Sequence, residues 1–132
     1  MKGSDILVEV LGVAIGGSLG ALSRYGVGVA CEFLTTSSFP WAILVVNCVG
    51  CFLFGLVAAA MSEVDPAYYW LRVALATGFL GGLTTFSSFG FDTYRLLEAS
   101  DWTLAFLNVA ANMLTGLAAV AAGVWLGRQF VV

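Results

Sequence analysis

Gly78-Phe79-Leu80-Gly81-Gly82-Leu83-Thr84-Thr85-Phe86-Ser87-Ser88-Phe89-Gly90 lies inside an apolar run long enough to cross a bilayer. It carries four glycines, four hydroxyl residues and three phenylalanines, a mixture for which an uninterrupted membrane helix has no use. Each glycine costs about 1 kcal/mol of helix propensity relative to alanine. A helix opened within the membrane exposes N–H and C=O groups that lipid cannot pair, so a break survives only where protein or a watery path covers it. Broken membrane helices commonly bind ions with the groups they free. The stretch therefore reads as a helix break that handles an ion.

The surrounding chain has 132 residues, 61% of them hydrophobic and 10% charged, with a mean hydropathy of +1.00. That is the composition of an all-α, polytopic membrane protein. At about 20 apolar residues per span there is room for four helices in a single transmembrane domain. They are expected over roughly residues 6–30, 41–61, 67–97 and 102–127, with the break near 78–85. The formal net charge is −3 and no Lys/Arg cluster exists, which excludes a nucleic-acid surface. Without histidine there is no imidazole acid–base switch. The first apolar run is too long for a cleavable signal peptide and leads straight into further spans, so none is expected.

Gly12, Gly16 and Gly20 recur every fourth residue of helix one and line one face. Small residues at that spacing let membrane helices approach closely. Arg24 suits the interfacial end of this helix, with its charge reaching water, a vestibule that draws anions, or a tie to a loop. Helix two begins at Pro40-Trp41 and carries Asn47, which suits an interhelical clamp or a pore-lining donor. Cys48 and Cys51 form a C-x-x-C inside an apolar run with no further ligand near in sequence, and read as small packing residues. After a turn at Ser62-Glu63-Val64-Asp65-Pro66, helix three runs to the break and resumes at Phe86. Ser100 or Asp101 caps helix four, where Asn108, Asn112 and Thr115 stack on one face in mid-span. A polar stripe there faces protein or water, not lipid. Lys2, Arg72 and Arg128 fall on one side of the membrane, Arg24 and Arg95 nearer the other. So weak a bias permits insertion both ways round or a parallel pairing.

At the break, carbonyls freed around Gly81 to Thr84 are oxygen ligands for a hard cation such as sodium. Thr85, Ser87 and Ser88 add hydroxyls, and Asn47, Asn108 and Asn112 add amide donors. Phe86 and Phe89 share a face of the resumed helix, and the positive edges of their rings can meet a small anion. Neutral donors bind such an ion weakly enough to let it leave, which conduction requires.

These residues resemble the Fluc (CrcB) family of fluoride channels. The similarity rests on Gly16-Gly17-Ser18-Leu19-Gly20 with Arg24-Tyr25, on Val46-Asn47 followed by Gly50, and above all on Gly78 to Phe89. The pieces stand in family order across nearly the whole chain. The resemblance implies a dual-topology, antiparallel homodimer in the bacterial inner membrane, with two pores that export fluoride passively. It implies that Phe86, Phe89 and Asn47 line the path; Thr85, Ser87, Ser88, Asn108, Asn112 and Thr115 are expected to belong to it from the hydroxyl and amide donors they offer. It implies that Gly81 and Thr84 hold a central structural sodium through backbone carbonyls. Arg24 matches a helix-one arginine of vestibular or structural role. Asn108 and Asn112 depart from the tyrosine and serine usual there. A small dual-topology drug exporter would need a membrane-embedded acid, which is missing. A non-transporting adaptor would leave the mid-span polar residues without a purpose. An enzyme is not expected: no histidine, nucleophile pair or metal cluster is apparent.

Overall fold

The computed structural model describes residues 3–62 and 65–130. Within them four helical spans are long and apolar enough to cross a membrane. Lys2 of the charge balance, and Glu63 and Val64 of the second turn, lie outside the described residues.

Helix α1 (Gly3–Leu34) passes its expected end at residue 30, because Cys31 to Leu34 contain no helix breaker. The Thr35 N–H still donates to Cys31 O at 3.0 Å. Helix α2 (Trp41–Ala60) follows Pro40. The third span is built in pieces. A 3-10 turn (Pro66–Tyr68) is capped by Asp65, whose carboxylate accepts the Ala67 N–H at 2.8 Å. Then come α3 (Tyr69–Val73), a π-helical segment (Ala74–Leu80), a single turn α4 (Gly81–Leu83) and α5 (Phe86–Glu98). Ser100, at φ 60°, turns the chain after α5. Asp101 is the cap of α6 (Trp102–Gly127), accepting the Leu104 N–H at 3.4 Å.

Two helix pairs make the bundle. Lipid tails are as apolar as leucine, so close packing has to drive association. In the first pair the α1 glycines lie on the third span. A Cβ on Gly16 would stand 2.9 Å from Phe79 N, and one on Gly82 would stand 2.5 Å from Gly17 O. In the second pair α2 and α6 pack along most of their length. A Cβ on Gly55 would stand 2.9 Å from Val124 N, and one on Gly123 would stand 2.9 Å from Leu56 N. Val46, Leu80 and Leu83 form the core where the pairs meet, with Val27, Leu53, Val57 and Phe79 packed around them. Large apolar side chains such as Leu22, Leu114, Leu117 and Trp125 point outward, as a lipid environment allows.

Candidate functional site

The helical ladder of the third span stops at Thr84. Its N–H and its hydroxyl both donate to Leu80 O, at 3.0 and 2.9 Å. Thr84 is then extended (φ −81°, ψ 154°), and so is Thr85 (φ −154°, ψ 122°). The Thr85 N–H donates to Asn47 Oδ1 at 2.9 Å, and Thr85 O accepts from Asn47 Nδ2 at 3.3 Å. One side-chain amide thus satisfies both backbone groups of the broken residue, groups that lipid could not satisfy.

The break is narrower than the expected 78–85. Only Thr84 and Thr85 leave helical geometry, while Gly78, Gly81 and Gly82 stay in the π and α turns. Gly78 and Gly82 instead let α1 come near: a Cβ on Gly78 would stand 3.1 Å from Val13 O. Because the Thr85 N–H turns to Asn47, the carbonyls from Gly81 onward fall outside the helical ladder. The negative end of one helix therefore meets the positive end of the next across two residues. On the positive side Thr85 caps α5, its Oγ1 accepting the Ser88 N–H at 3.2 Å. The same hydroxyl lies 3.1 Å from Ser87 Oγ and donates to Ser88 Oγ at 3.2 Å.

Phe86 and Phe89 open α5 with ring centroids 5.5 Å apart and planes tilted by 54°. Phe86 is 77% exposed and Phe89 only 7%. Both line an open groove of about 320 Å³, together with Asn47, Thr84, Thr85 and Asn112. Cys51, Phe54 and Met113 are also part of the wall. Among the described residues no charged side chain lines this groove.

Behind the groove runs a chain of hydrogen bonds. Asn47 Nδ2 donates to Asn112 Oδ1 at 3.0 Å. Asn112 Nδ2 donates to Asn108 Oδ1 at 2.9 Å and to Asn108 O at 3.0 Å. Asn108 Nδ2 donates to Thr93 Oγ1 at 2.9 Å, and Thr93 Oγ1 donates to Phe89 O at 2.8 Å. No buried side-chain nitrogen or oxygen among the described residues is left without a partner.

The structure therefore brings Asn47, Thr84, Thr85, Phe86, Phe89 and Asn112 together. Asn108 is fully buried, at 0% exposure, and stands behind them. Thr115 is exposed on α6, its hydroxyl donating to Ala111 O at 2.6 Å and meeting Cys48 Sγ at 2.8 Å. Gly81 and Ser87 are exposed, Ser88 and Arg24 half-buried, and none of these four lines the groove. The three cysteines are free, and no cluster of His, Cys, Asp or Glu among the described residues could hold a metal. Sequence reasoning missed Cys51, Phe54 and Met113 as groove residues. It also missed Thr93, whose position four residues after Phe89 puts both on one face of α5.

Residues 11–124 match the family model described as CrcB-like protein, Camphor Resistance (CrcB). A protein of Hydrogenovibrio crunogenus named fluoride-specific ion channel FluC is 40% identical over 124 residues, 94% of each chain. One of the same name from Dehalococcoides mccartyi is 41% identical over 119 residues, covering 90% of this chain and 92% of its own. A third, from Rhizobium etli, is 40% identical over 125 residues, 95% of this chain and all of its own.

Proposed function

The chain belongs to the CrcB family, and from that premise we propose that it is a passive, fluoride-selective channel that exports fluoride from the cytoplasm. It is a multi-pass bacterial membrane protein, and its family comprises ion channels, not enzymes. The observation that carries the proposal is the groove beside the break, walled by Phe86, Phe89, Asn47, Thr85 and Asn112, with no charged side chain among the described residues that line it.

A small anion leaves water only where protein groups replace its hydration. Ring edges, hydroxyls and the positive end of α5 are partial charges fixed in place, and they attract an anion without trapping it. Both amide hydrogens of Asn47 are engaged, by Thr85 and Asn112, so its contribution to the path is the shape of the break. Thr85 supplies a hydroxyl of the groove wall, and Ser87 and Ser88, outside that wall, meet the same hydroxyl at 3.1 and 3.2 Å.

The working unit in this reading is an antiparallel, dual-topology homodimer with two pores. The groove is open, and Gly81, Phe86 and Ser87 are exposed beside it. A polar break facing lipid is unfavourable, and a second copy closing that side removes the penalty. The near balance of cationic residues on the two sides supports insertion in both orientations. Gly81 and Thr84 fit a central sodium ion, since their carbonyls stand outside the ladder and a two-fold axis would supply each ligand twice. Bound there, the ion would supply a fixed positive charge between the two chains.

In proteoliposomes the protein is expected to release fluoride rapidly and passively while chloride stays behind. A chloride leak equal to the fluoride leak would remove this reading.

A further inference from the structure

The hydrogen-bond chain behind the groove runs in one direction and returns to the helix from which it starts. It begins at the Thr85 N–H, passes through Asn47, Asn112, Asn108 and Thr93, and ends on Phe89 O. Its two ends are thus the cap and the first turn of α5, the turn that carries both rings. Each amide in it accepts with its oxygen and donates with its nitrogen, so the bonds polarise one another in the same sense. Asn108 is the link farthest from the groove. It is fully buried, lines no part of the groove, and connects α6 to α5 through Thr93.

We infer that Asn108 is a positioning residue for ion passage. It holds Phe89 in place through Thr93, and holds Asn47 and the Thr85 peptide in place through Asn112, without touching the ion. A fully satisfied amide network specifies one arrangement, whereas a network missing one link leaves buried groups unpaired and free to seek others. The inference rests on the fluoride-channel reading for its transport readout, and on the geometry alone for its spectroscopic one.

The variant that tests it is Asn108→Asp. A protonated carboxyl keeps the pattern, donating to Thr93 Oγ1 and accepting from Asn112 Nδ2. An ionised one cannot donate to Thr93 and breaks the direction of the chain. Varying the pH switches the carboxyl between these two forms. Fluoride efflux from liposomes is measured between about pH 6 and 9, with a 4-fluorophenyl label at Phe89 read by 19F NMR in parallel samples. The titratable and charged groups on the adjoining turns of α5 and α2 are Asp92, Tyr94, Arg95, Cys48 and Cys51, all present in the parent protein, which serves as the control. The variant is expected to conduct at the acid end and to lose flux by about tenfold or more as pH rises, the 19F signal moving over the same range. Thr93→Val, which deletes the next link, is expected to lower flux at every pH, and Thr93→Ser to restore it. A folded Asn108→Asp protein with parental flux and an unmoved 19F signal throughout overturns the inference, and so does flux lost equally at all pH values. If the parent protein itself fails to pass fluoride, the channel reading fails, and the 19F titration still decides the role of Asn108.

Discussion

Replacing Asn47 with leucine keeps the side-chain volume and removes every side-chain bond that Asn47 makes to the break and to Asn112. Three groups lose their partner: Thr85 N–H at 2.9 Å, Thr85 O at 3.3 Å and Asn112 Oδ1 at 3.0 Å. Hydrogen bonds between membrane helices contribute about 0.6 kcal/mol on average and about 1.7 at most, so the three together give about 2–5 kcal/mol. Water entering the groove offsets part of the loss at Thr85 O, which places the expected cost in the lower half of that range. The assay is equilibrium unfolding from mixed micelles by detergent titration, followed by tryptophan fluorescence. Asn112→Leu and the double variant complete a cycle whose coupling term isolates the Asn47–Asn112 bond. A cost for Asn47→Leu below about 0.5 kcal/mol, the level of an ordinary surface change, would refute the reasoning. It would mean that the Thr84–Thr85 break is held by the chain's own preference and not by α2.

Three further outcomes follow from the same geometry. Phe86→Ile should leave stability within about 0.5 kcal/mol, because the ring is exposed, yet lower fluoride flux about tenfold; Phe89→Ile should lower both, and unchanged flux in the two would make the rings mere packing. Gly20→Ala should destabilise by about 1–3 kcal/mol, since its Cβ would clash with Phe79 O, whereas Gly26→Ala, with nothing nearby, should stabilise by about 0.5–1 kcal/mol; thermal melting in detergent that ranks them the other way would contradict the α1 packing. Replacing sodium by a large organic cation should slow fluoride efflux, and full flux in strictly sodium-free buffer would remove the cation from the proposal.

The four spans were legible because apolar runs and polar turns alternate so plainly along this chain. The break was legible in kind but not in extent. Glycine loosens a helix, yet Gly78 and Gly82 sit where α1 presses against the third span, and that contact holds them helical. The two threonines open instead, because Asn47 reaches Thr85 from another helix, a contact 38 residues away in sequence. Asn108 and Asn112 looked alike as members of one stripe. They differ because stacking four residues apart lets one amide bond the other, leaving Asn112 at the groove and Asn108 sealed behind it. Thr93 was passed over because a lone hydroxyl in the amphipathic second half of α5 has no local signal. Its meaning comes from the asparagine on α6 that it meets.

The helices differ greatly in length. At about 1.5 Å per residue, the 32 residues of α1 extend about 48 Å and the 26 of α6 about 39 Å, against about 30 Å for the 20 of α2. The hydrocarbon core of a bilayer is itself about 30 Å thick. The long helices can tilt or protrude to suit a thicker bilayer, but α2 has no length in reserve. Mismatch strain therefore falls first on the helix that carries Asn47, which links the lipid thickness around the protein to the shape of the opening in its third span.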